Sequence, residues 1–89
     1  MKYYFDIRDG ENFALDDIGF DLRDDVGARL QATIALIEMA RDYLPTDGNR
    51  RNLLIQVRTD EGPRFDVSLD YALVYREARD RNPLRAGRR

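Results

Sequence analysis

The chain contains no cysteine and no histidine, and Lys2 is its one lysine. The first absence excludes a disulfide framework and thiolate chemistry. The second removes the commonest general base and the commonest transition-metal ligand, so neither a Ser-His nor a Cys-His nucleophile can be assembled. Catalysis would have to run on carboxylates, tyrosine or that lysine. Long hydrophobic runs are missing too. The longest falls far below the ~18 residues that span a bilayer, and Met1-Lys2-Tyr3-Tyr4-Phe5-Asp6 has no signal-peptide core. The expectation is a cytoplasmic protein with no membrane contact.

What is present suits one globular domain. The 89 residues are 36% charged and 43% apolar, enough to bury a small core. The net charge of −2 is unevenly spread. Residues 76–89 carry Arg76, Arg79, Arg81, Arg85, Arg88 and Arg89 against Glu77 and Asp80, so a basic tail follows an acidic body. The expected division is a domain over residues 1–75 and a flexible tail over 76–89.

Alternation identifies the strands. Tyr3, Phe5 and Ile7 share one face, Leu53, Ile55 and Val57 another, and Phe65, Val67, Leu69 and Tyr71 a third. Asp9-Gly10 supplies hairpin turn chemistry, and Asp60-Glu61-Gly62-Pro63 a second tight connection. The return strand after Gly10 is irregular and is expected to bend at Asp16-Asp17. Residues 24–44 read as a helix. Asp24 is its N-cap, Asp25 favours the dipole, and Pro45 is expected to stop it by disfavouring helical angles at Leu44. Val26, Leu30, Ile34, Ile37 and Leu44 form the stripe expected to face the core, and Ala28, Ala32, Ala35, Leu36, Met39 and Tyr43 widen the apolar arc. Gly27 is a flaw in the first turn, expected to allow close packing on a strand. A short helix is placed near residues 71–80.

The order is ββαββ. The expected fold is α+β with two layers: a four-stranded antiparallel sheet in the order 2-1-3-4 under one helix. The opposite face, with Tyr4, Asp6, Arg8, Leu54, Gln56, Arg58, Arg64, Asp66, Ser68 and Asp70, is polar enough to meet water.

The runs YYFDIRDG (3–10), DDIGFDLRD (16–24), LIEMARDYLP (36–45) and IQVRTDEGPRFDVSL (55–69) resemble a family of small bacterial proteins of unknown function, common in rhizobia and other alphaproteobacteria. The resemblance covers roughly residues 1–75. It rests on turn and cap residues (Asp9-Gly10, Gly19, Asp24), so it implies a fold and carries no catalytic or binding residue over. The arginine tail extends beyond the family pattern, and Gly27 departs from its alanine. In layout the chain is also similar to HicB-type antitoxins, which place a hairpin before an amphipathic helix. The tail is too short for a helix-turn-helix.

Three features could carry function. Asp16, Asp17, Asp21, Asp24 and Asp25 offer oxygens to Ca²⁺ or Mg²⁺, but their spacing does not fit an EF-hand loop. They are expected to solvate a turn and cap the helix. No metal, cofactor or catalytic residue is assigned, and the chain is expected not to be an enzyme. The tail arginines could contact phosphates with steep salt dependence, or an acidic partner. Leu36, Met39 and Tyr43, flanking the main helical stripe, could pack against a second subunit. The expected function is a non-enzymatic, self-associating interaction module, a homodimer able to bind a protein partner. The alternatives are a nucleic-acid-linked regulator of the antitoxin type, and, behind it, a carboxylate- or metal-dependent enzyme.

Overall fold

The structure, a computed structural model, describes residues 1–44 and 48–77. In chain order the elements are β1 (Lys2–Asp9), β2 (Asn12–Ala14), β3 (Phe20–Asp21), α1 (Asp25–Tyr43), β4 (Arg50–Thr59) and β5 (Gly62–Ala72). The described residues form one antiparallel sheet in the order β2-β1-β4-β5, with β3 also paired to β1. An α+β fold with a helix on one sheet face is therefore as expected. The strand count is not: five strands stand where four were expected.

The extra strand arises because the second hairpin arm breaks in two. β2 pairs with Ile7–Asp9 and β3 with Lys2 and Tyr3, and residues 15–19 bow out between them. Asp16 makes the break. Its carboxylate accepts the N–H groups of Phe5 (3.0 Å), Ile18 (3.0 Å) and Gly19 (3.0 Å), while its own N–H donates to Asp6 (2.9 Å). The side chain thus replaces the cross-strand carbonyl that a continuous strand would have offered. Gly19 sits at φ +83°, and a Cβ there would lie 2.7 Å from the Lys2 side chain, so glycine is demanded twice.

β1, β4 and β5 keep the alternation read from their residues. Tyr3, Leu53, Ile55 and Val57 are buried beneath the helix, with Phe5, Ile7, Phe65, Val67 and Leu69 packed around them. β5 ends at Ala72, and residues 73–77 form neither helix nor strand, so the short helix expected from residue 71 does not form over these residues. Its remainder, 78–80, lies outside the described residues.

The helix ends also bear comparison. Asp24 caps α1 by accepting the Gly27 N–H at 3.1 Å. Leu44 keeps helical angles and donates to the Ala40 carbonyl, against the expectation of an extended residue before proline. That last hydrogen bond completes the turn and outweighs the local preference.

α1 presents an unexpected face to the sheet. Its buried residues are Ala28, Ala32 and Leu36, with Ala35, Met39 and Ala40 partly covered. Val26, Leu30, Ile34 and Ile37 point to solvent. Of the stripe expected to face the core only Leu44 packs against it, while Ala28, Ala32, Ala35, Leu36 and Met39 of the expected flank turn inward. The reason is complementarity of size: the sheet contributes the bulky side chains, so a close helix needs small ones facing them. Alanines at 28, 32 and 35 let the backbone approach.

Candidate functional site

Three ionic clusters among the described residues are bound up with the fold, apart from an exposed pair between neighbours Arg41 and Asp42. On the helix-free face Arg58 donates to Asp6 at 2.8 Å and to the Asp16 carbonyl at 2.8 Å, and its guanidinium lies 4.5 Å from the Tyr4 ring centre. At one end of the helix face Arg51 holds Asp9 through two bonds of 2.7 and 2.6 Å and stacks on Tyr43. At the other end Asp25 accepts from the Tyr3 hydroxyl (2.7 Å) and from Arg64 (2.5 Å). A β-bulge between Val57 and Arg58 offsets β5 at this point and lets Arg64 reach the helix start.

These contacts set the titration of the groups. The Arg51 hydrogen bond holds the Asp9 carboxyl below the usual carboxylate range. The Arg64 bond, then that of Tyr3, does the same for Asp25. Burial raises Asp16, but the N–H groups of Gly19, Phe5 and Ile18 outweigh it and bring the carboxyl below its ordinary value. Tyr3 is raised, chiefly by the bond to Asp25. In each case the ionised carboxylate has its donors supplied by the protein. Three of the five acidic residues singled out for a cation thus have structural work: Asp16 shapes a loop, Asp24 caps a helix and Asp25 ties the helix to two strands.

The expected association residues fare differently from one another. Leu36 is only 6% exposed and belongs to the core. Met39 is partly covered by the same cluster. Tyr43 is exposed and lies against Arg51. The uncovered stripe is the one formed by Val26 (75% exposed), Leu30 (61%), Ile34 (43%) and Ile37 (58%). The spacing of four, four and three aligns them along one side of three helical turns. Alanines at 28, 32 and 35 were the signal for which side would turn inward. Of the tail arginines, Arg76 is described and exposed. Arg79, Arg81, Arg85, Arg88 and Arg89 lie outside the described residues.

A family model matches residues 2–70, from the first residue of β1 to two residues short of the end of β5, and its description is Domain of unknown function (DUF6894). The chain belongs to this family. An uncharacterised domain family is what the resemblance implied. The DUF6894 span includes all of α1, and hence both the buried alanine face and the exposed stripe. No curated protein and no solved structure matches the chain. Among the described residues no helix is long and apolar enough to cross a membrane.

Proposed function

We propose that this DUF6894 domain is a non-enzymatic interaction module that works as a homodimer. One observation carries the reading: α1 buries its alanines and leaves its heavier aliphatics in water. The stripe of Val26, Leu30, Ile34 and Ile37 exposes on the order of 400 Å² of apolar surface, the size of patch that on a monomer is often functional. Burying it would contribute ~10 kcal/mol per copy at ~25 cal/mol per Å² before the entropy of association is subtracted. No catalytic role is needed to account for the charged groups, because the three clusters hold loop, strand and helix in place.

Light scattering coupled to size exclusion tests this. The chain should elute at twice its 10.4 kDa mass at high micromolar concentration. Leu30→Glu and Ile37→Glu should each return it to the single mass with unchanged circular dichroism, since neither position is in the core. A wild-type monomer at that concentration would end the proposal. The six arginines of residues 76–89 support a second reading, a regulator that contacts nucleic acid. It requires DNA or RNA binding that weakens steeply with salt and disappears when residues 76–89 are deleted.

A further inference from the structure

The sheet ends in an open edge, and Val26, the first residue of the uncovered helix stripe, lies beside it. β5 is outermost on the β4 side, eleven residues long, and pairs with no strand beyond β4 among the described residues. The hydrogen-bond phase shows which groups it presents. The Leu73 N–H donates to the Asn49 carbonyl at 2.7 Å, one step beyond the pair Arg50–Ala72. In an antiparallel ladder every second pair is hydrogen-bonded, so Tyr71, Leu69 and Val67 also turn their N–H and C=O groups to β4. The Gly10 N–H donation to Asn52 fixes the same phase from the β1 side. Asp66, Ser68 and Asp70 therefore turn their N–H and C=O groups outward.

We infer that this edge pairs with the β5 edge of a second copy, antiparallel, about a two-fold axis through Val67. The inference rests on the self-association argued above and specifies its geometry. Val67 is the midpoint of Gly62–Ala72, so this register overlaps the whole strand. It sets Asp66 across from Ser68 of the second copy, and Asp70 across from the bulge at Arg64, whose side chain is already held by Asp25. An axis through Asp66 would put that carboxylate opposite itself, and one through Ser68 would put Asp66 opposite Asp70. Like charges directly opposed destabilise a strand pair. On the helix side Val67 would meet Val67, and Phe65 would meet Leu69, residues the helix leaves partly open.

The helices fit the same axis. α1 packs on both β4 and β5, so its axis lies about one strand spacing from the proposed dyad. Two such helices would lie ~10 Å apart, the distance at which helices pack. Val26 and Arg29 already line a cleft of about 390 Å³ with Phe65 and Val67 on this flank. A standard interface takes ~800 Å² from each partner, more than the helix stripe supplies by itself.

The chain has no cysteine, so a single introduced thiol reports the register directly. In the proposed pair the two Val67 positions form a non-hydrogen-bonded pair with Cα atoms ~4.5 Å apart, within disulfide range. Val67→Cys in the full chain should run mainly as a disulfide dimer on a non-reducing gel after mild oxidation. Leu69→Cys, four residues from its symmetry mate along the strand and so ~13 Å away, should not. Ser68→Pro removes an outward N–H that the monomer does not use, and should raise the dimer dissociation constant at least tenfold with unchanged circular dichroism. If wild type is a dimer and Val67→Cys does not cross-link, or Ser68→Pro leaves the dimer intact, edge pairing is overturned while self-association stands. Equal cross-linking of both cysteine variants overturns the register. A monomeric wild type overturns both this inference and the function it rests on.

Discussion

Gly27 and Asp16 show how one side chain decides local stability in opposite directions. Gly27 lies in the first turn of α1, and a Cβ there would meet only the Asp24 carboxylate at 3.8 Å, an ordinary contact. No close approach demands glycine, which corrects the expectation of packing on a strand. Gly27→Ala should raise stability by about 1 kcal/mol, read as a thermal midpoint several degrees higher. Asp16→Ala should act the other way. It leaves three N–H groups without their acceptor, and urea denaturation should show a loss of about 1–3 kcal/mol. Acid should reproduce part of that loss. Asp9, Asp16 and Asp25 all titrate below their ordinary value in the fold. Their contribution is therefore complete above the unfolded carboxylate pKa near 4 and disappears as pH falls through the lower folded values. Tyr3 behaves conversely: its raised pKa keeps its contribution intact below about pH 10 and removes it above. A midpoint-against-pH series should show loss at both extremes, and Asp25→Asn should flatten the alkaline limb.

At the scale of elements, what the sequence made legible was whatever depends on near neighbours. Alternation located β1, β4 and β5, and Asp24 located the helix start, because strand faces and caps are set within a few residues. The bend at Asp16-Asp17 was also visible, but not that Asp16 would accept three N–H groups and split the strand. That outcome needs Asp6, Arg58 and Gly19 brought together from distant positions. The inward face of α1 was least legible. A helix apolar around most of its circumference has no unique buried side, and the choice was made by the bulk of Leu53, Ile55 and Val57 on the sheet. Ala32 has no solvent exposure against that surface. Ala32→Leu should overpack it and destabilise by about 1–3 kcal/mol in urea denaturation, although leucine is the residue found two positions earlier on the same helix. Larger aliphatics would be tolerated only on the outer side. The candidate association residues Leu36 and Met39 were thus assigned to the wrong side for the same reason.

For the whole molecule, Val26 at the start of the helix stripe and the open β5 edge share one flank, so a second copy paired on that edge would meet both. Amide exchange separates this arrangement from contact through the helices only. In dilute solution the Asp66, Ser68 and Asp70 amides should exchange quickly, since they point away from β4. At concentrations where the mass doubles they should become protected, while Val67 and Leu69 change little. Helix contact without strand pairing would leave all three fast at every concentration. The opposite flank has another consequence. There the hairpin arm is interrupted, leaving β2 with three residues and β3 with two, separated by the loop that Asp16 holds out. Such a fragmented margin offers no template for head-to-tail growth, so stacking ends once two molecules have met, and concentrated solutions should stay free of filaments.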